Sequence, residues 1–193
     1  TRLAATARLR IADLDTAEGR LGEARVHYEQ YMQDMSAFET TEDPAEVWED
    51  LALGHLKLGA LERMQGNLIQ SRNHYEHHLE FAQRIEQTIG NPKSYRTVSL
   101  ALSRLGGLER TDGNLAVART RYEEALSIAR ELADQLETPE SRQDVASVVM
   151  NLGDLEQQEG NLAAARKHYH EHLEIMRALM NQLGTPASRR NVM

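Results

Sequence analysis

The chain has 193 residues, 22 Lys and Arg against 30 Asp and Glu, a formal net charge of −8, 40% apolar residues and no cysteine. The missing cysteine excludes a disulfide framework, a thiolate metal site and a cysteine nucleophile. The acidic balance argues against a nucleic-acid partner, which needs a basic stripe. No apolar run approaches the ~20 residues that span a bilayer, and Thr1-Arg2-Leu3-Ala4-Ala5 lacks the apolar core of a signal peptide. No membrane association is expected, and the default location is the cytoplasm. The chain starts at Thr1 and stops at Met193 inside a helical pattern, so it reads as a piece of a longer protein.

Tyr28, Tyr75, Tyr122 and Tyr169 are each 47 residues apart, and so are Gly19, Gly66, Gly113 and Gly160. Leu14, Leu61, Leu108 and Leu155 keep the same step, as do Leu21, Leu68, Leu115 and Leu162, and Arg25, Arg72, Arg119 and Arg166. Several columns in phase over four copies define a tandem repeat. With only four prolines and no glycine cluster, no linker divides it. The units run over about 1–42, 43–90, 91–137 and 138–184, with another starting at 185–193.

Each unit reads as two helices of about 20 residues, roughly 30 Å long at 1.5 Å per residue. The first copy turns at Gly19-Arg20, a weak cap. The second opens at Asp43-Pro44, where Glu46 offers a capping box, and turns at Gly66-Asn67. The third opens at Asn91-Pro92 and turns at Gly113-Asn114. The fourth opens at Thr138-Pro139, turns at Gly160-Asn161, and Thr185-Pro186 opens the next. A short polar side chain before a proline accepts an orphan N–H, and proline has no N–H to strand. Glycine at the turn permits the positive φ that ends one helix, and the asparagine after it is expected to cap the next. In the fourth copy Val145, Val148, Val149, Leu152 and Leu155 share one face of a 3.6-residue period. A second stripe runs Leu162, Ala165, Tyr169, Leu173, Met176, Leu179/Met180 and Leu183. Nothing alternates with period two, so the expected fold is all-α: antiparallel helix hairpins, each burying its apolar face against the next.

The series Leu152-Gly153, Gly160, Ala165, Tyr169 resembles the tetratricopeptide repeat. Leu105-Gly106, Gly113, Ala118, Tyr122 repeats it, Leu58-Gly59, Gly66, Ser71, Tyr75 varies it, and Ile11-Ala12, Gly19, Ala24, Tyr28 is degenerate. The 47-residue period is longer than the family's usual 34 and is similar to the long-helix repeats of kinesin light chain and of bacterial signalling proteins. The resemblance implies a right-handed solenoid of about four hairpins plus a truncated fifth. Gly59, Gly106 and Gly153 lie in helix interiors, where each costs about 1 kcal/mol against Ala; close approach of the partner helix, with the tyrosine ring in the gap, is the expected compensation. The family's small residue three after the aromatic is Ala125 here, but Tyr31, His78 and His172 elsewhere. That bulk is expected to push neighbouring hairpins apart or rotate them.

The resemblance also implies that the first helices line a concave groove for a peptide or partner domain. By phase, the groove residues are Leu53, Leu56, Lys57 and Arg63 in the second copy, Leu100, Arg104 and Arg110 in the third, and Met150, Asn151 and Asp154 in the fourth. The leucines and Met150 offer apolar anchorage, and the four cations offer carboxylate recognition. A partner with apolar anchors and an acidic stretch would complement them. The family's carboxylate clamp is not carried over, because its asparagine column reads Asp13, Ala60, Gly107 and Asp154.

The pairs His74/His78 and His168/His172 have the i, i+4 spacing that can chelate a metal, but a stable site wants more ligands, so no metal and no cofactor is expected. The abundant Asp and Glu read as solvated helix faces. No catalytic constellation or phosphate loop occurs, and no enzymatic activity is expected. The leading expectation is a non-catalytic protein-interaction module. The alternatives are a sensor or regulatory arm beside a signalling ATPase or caspase-like protease domain, and a scaffold self-associating through exposed solenoid ends.

Overall fold

A computed structural model of the chain describes residues 2–38 and 43–183. The described residues form eight α-helices and no strand: α1 (Arg2–Ala17), α2 (Leu21–Ser36), α3 (Pro44–Met64), α4 (Leu68–Ile89), α5 (Pro92–Thr111), α6 (Leu115–Leu136), α7 (Pro139–Gln158) and α8 (Leu162–Leu183). The expected fifth repeat at 185–193, with its Thr185-Pro186 cap, and the Leu183 side chain lie outside the described residues. Contacts divide the chain into two units, Thr1–Ala101 and Leu102–Met193, the division falling within α5.

In the first unit α1 pairs with α2, α3 pairs with α4, and α2 packs on α3. Its core gathers Leu9, Tyr28, Tyr31, Met35, Val47, Leu51, Leu58 and Leu61, among others. In the second unit α7 pairs with α8 and packs on α6. Leu108, Tyr122, Leu126, Val149, Leu152 and Leu155 are buried there.

Within each hairpin the turn is set by Gly19, Gly66, Gly113 and Gly160, with φ of 79°, 80°, 83° and 81°. The Asn67 N–H donates to the Glu62 carbonyl at 2.8 Å and the Gly66 N–H to that of Arg63 at 3.1 Å, the bond pair of a Schellman motif. At the helix starts Asp43 accepts from the Ala45 N–H at 3.0 Å, Asn91 from the Ser94 N–H at 2.9 Å, and Thr138 from the Ser141 N–H at 3.2 Å. The Glu46 capping box gives way to a different bond: its carboxylate accepts from Arg2 at 2.6 Å.

The turn asparagines do not cap the second helices as expected. The amides of Asn67, Asn114 and Asn161 instead turn back and donate to Glu62, Glu109 and Glu156 at 2.8, 2.8 and 2.9 Å. These glutamates correct a second expectation, that the acids lie on solvated faces. Asp15, Glu62, Glu109 and Glu156 form another 47-residue column and are 3%, 2%, 8% and 6% exposed. A buried carboxylate needs a cation and hydrogen bonds. Arg25 of α2 supplies them to Glu62 of α3 at 2.7 Å, and Arg119 of α6 supplies them to Glu156 of α7 at 2.6 Å. In the first copy Arg20 stands where the others have asparagine and donates to Asp15, which His27 also meets at 2.8 Å. Arg25 and Arg119 of the recurring arginine column thus each bond a second helix to the first helix that follows it.

The helix-interior glycines answer to a ring. A Cβ on Gly59 would meet Tyr75 at 2.6 Å, one on Gly106 would meet Tyr122 at 2.8 Å, and one on Gly153 would meet Tyr169 at 2.6 Å. Tyr75 is 1% exposed and has nowhere to retreat. Gly59→Ala should therefore destabilise the chain by up to about 2 kcal/mol, the overpacking cost of ~1–3 kcal/mol less the ~1 kcal/mol helix gain. Urea denaturation reads the sign, and a raised midpoint would mean that the ring yields.

Tyr31 and His78 are both 1% exposed. Tyr31 donates to Asp50 at 2.9 Å, and the His78 and His172 Nδ1 atoms lie 2.9 Å from the carbonyls of Ala52 and Ala146. A carbonyl only accepts, so both imidazoles carry the proton on Nδ1. Each bulky side chain thus bonds its polar tip to a first helix.

Candidate functional site

In the first unit α3 and α5 flank a cleft of about 300 Å³. Leu53 and Leu56 of α3 and Thr97 and Leu100 of α5 line it, and Ala52 of α3 with His78 and Ile85 of α4 contribute to its lining. Glu49, Asp50 and Lys93 complete it. Its walls follow from the repeat: Leu53 and Leu100 occupy the same position one period apart, as do Asp50 and Thr97 one turn earlier. Leu53 and Leu56 are half-buried and Leu100 is 37% exposed.

Its charges are internally matched. Lys93 pairs with Glu49, while Asp50 accepts from Arg2 at 2.7 Å and from Tyr31 at 2.9 Å. What remains open is apolar surface. Glu49, Asp50, Ala52, His78, Ile85, Lys93 and Thr97 were not among the expected groove residues. Asp50 and Thr97 stand one turn before Leu53 and Leu100, the only signal for them, whereas Ile85 comes from the second helix and has no first-helix signal.

The other expected residues divide by unit. In the first unit Lys57 donates to Asp13 at 2.7 Å and Arg63 is exposed. In the second unit Arg104 is exposed, Met150 is 40% exposed, and Arg110 faces Asp154 at 3.7 Å, so two expected groove residues meet each other. Asn151 donates to Ser103 at 3.0 Å, and Tyr169 donates to Asp154 at 3.1 Å. Of the four expected cations, Lys57 and Arg110 face carboxylates while Arg63 and Arg104 are exposed.

The titration of this scaffold follows its contacts. Burial opposes charge on Asp13, but its bonds from Lys57 and Tyr28 outweigh that and hold its carboxyl below the usual value. Burial pushes the Tyr28 hydroxyl up to about 12. Bonds from Arg20 and Arg119 hold Asp15 and Glu156 below their ordinary values.

The metal-spaced histidine pairs do not converge, since His78 and His172 face backbone carbonyls. A different contact forms: His55 Nδ1 of α3 lies 3.1 Å from His74 Nδ1 of α4. The ring of His77 is 4.9 Å from that of His55, and Phe81 stacks on His55 at 5.8 Å. Burial first, then the neighbouring His74, His77 and His78, pushes His55 down to about 3. Burial also lowers His74. Among the described residues no group of three or more His, Asp or Glu is arranged to hold a metal ion, and no helix is long and apolar enough to cross a membrane.

Among solved structures, BtubC (BKLC) from P. vanneervenii superposes with a TM-score of 0.67 at 23% identity, covering 86% of this chain and 60% of that one. The chain has a helical-repeat fold. It spans 60% of the length of BtubC. The MamA protein gives 0.47 at 14% identity over 94% of this chain and 96% of that one, and the designed helical repeat protein DHR64 gives 0.41 at 18% over 92% of each. Only the first of these is close enough to define a shared fold. No family model and no curated protein matches the chain.

Proposed function

We propose that the chain is a non-catalytic protein-interaction module of the tetratricopeptide type, with hairpin repeats over about 1–42, 43–90, 91–137 and 138–184. Its first-helix face takes an apolar side chain of a peptide or partner protein into the cleft beside Leu53, Leu56 and Leu100. The single observation that carries this reading is the cleft itself: apolar walls left open by a fold whose neighbouring charges are already paired. Arg63, exposed in the same unit, supplies a cation for a carboxylate of the same partner.

Peptides selected from a random display library against the purified chain should share an apolar anchor. Leu56→Asp sets a charge in the cleft and should weaken their binding about tenfold or more, the equivalent of ~1.4 kcal/mol. The thermal midpoint should hold, because Leu56 is half-exposed. Binding unchanged by Leu56→Asp would place the interaction elsewhere, and a collapse of the midpoint would mark Leu56 as core.

A further inference from the structure

Position 55 departs from the last two members of its repeat column; the column's first member is Arg8, an arginine paired with Asp34. One and two periods on stand Leu102 and Val149, which are 4% and 0% exposed and belong to the apolar stripe of their first helices. An imidazole there forfeits apolar packing and must find a polar partner. It finds one on the paired helix, and that partner is a second imidazole: the two Nδ1 atoms are 3.1 Å apart. The edge of a tetrahedral site with metal–nitrogen bonds of about 2.0–2.1 Å is ~3.3 Å long, so the pair stands at the spacing of two ligands on one cation.

We propose that His55 and His74 form a two-histidine site of modest affinity, short of the ligands a stable structural site has, for a borderline divalent cation, Zn²⁺, Ni²⁺ or Cu²⁺, bound through both Nδ1 atoms, with water completing the coordination. Imidazole nitrogen suits these ions above Mg²⁺ or Ca²⁺. Binding needs no net proton loss. With both rings neutral, one Nδ1 now donates to the other, and moving that proton to the Nε2 of its own ring leaves two lone pairs facing one point. Phe81 lies against His55, and Glu62 and Glu29 bring toward His74 negative charge that Arg25 and His77 partly offset. The site joins α3 to α4 within one hairpin, so an occupied site staples that hairpin.

The test uses the untagged chain in a non-coordinating buffer at neutral pH, titrated with ZnCl₂ and separately with NiCl₂ by calorimetry. The expected result is saturable binding of one ion per chain, with a thermal midpoint that rises on addition and returns with EDTA. His55→Leu installs the residue found at Leu102, and His74→Arg the one found at Arg121. Each should weaken binding by at least the ~10–100-fold that loss of a supporting group costs a metal site. His168→Gln combined with His172→Gln should leave it unchanged. No saturable binding below millimolar metal, or binding that survives both His55→Leu and His74→Arg with the fold intact by circular dichroism, overturns the proposal. So does binding lost only with the α8 histidines.

Discussion

Arg25→Met should destabilise the chain by about 2–3 kcal/mol, far more than the ~0–1 kcal/mol of a surface ion pair. The asymmetry lies in the partner. The Glu62 side chain is 3% exposed, whereas that of Arg25 is 34% exposed. Removing the arginine strands a carboxylate that Asn67 alone then holds, at 2.8 Å. The exposed half of the pair keeps the loss below the ~3–5 kcal/mol of a fully buried pair. The double variant Arg25→Met with Glu62→Leu should recover most of the stability, because an apolar pair of similar volume carries no desolvation penalty. Urea denaturation of the two variants gives the cycle. Equal losses in single and double variants would show that Glu62 is solvated by another route.

Acidification from pH 6.5 to 4.5 should cost about 1–2 kcal/mol through His55. Its folded value is pushed down to about 3 from the ordinary 6.5. Above 6.5 the ring is neutral in both states and stability is at its plateau. Below 6.5 the unfolded chain takes up the proton and the folded chain does not, so stability falls until the pH reaches the folded value. Two pH units of that window amount to ~2.7 kcal/mol at full effect, which partial exposure reduces. From α4, the groups facing His55 are His74, His77 and His78, and Glu62, Glu29 and Arg25 act on His74. The depressed carboxyls of Asp15 and Glu156 act in a lower window: they stabilise above their unfolded values, near 3.8 and 4.5, and lose that contribution as the pH falls through their folded ones. His55→Leu should therefore flatten the loss between pH 6.5 and 4.5. An unchanged slope in that variant would assign acid sensitivity to other groups.

The helices were legible because their punctuation is local. Pro44, Pro92 and Pro139 open helices, and the positive-φ glycines close them, within a few residues of sequence. Leu53, Leu56 and Leu100 could be set on one face because helical phase alone orders them. What escaped reading depends on which side chains meet, mostly across different helices. Glu62 looks like surface until Arg25, 37 residues away, is placed against it. Asn67 looks like a cap until that same glutamate draws its amide back. Lys57 and Arg110 look like free cations until Asp13 and Asp154 come alongside. His55 reads in hydropathy only as a polar interruption, and its partner His74 is 19 residues on in the paired helix.

Binding of partners on the first-helix face, in the cleft between α3 and α5, can be read by methyl-resolved NMR of the chain titrated with a display-selected peptide. Shifts are expected at the Leu53, Leu56 and Leu100 methyls, with the buried methyls of Leu61 and Val149 unmoved. Shifts confined to exposed second-helix residues such as Ile69 and Val117, which are 72% and 46% exposed, would contradict it.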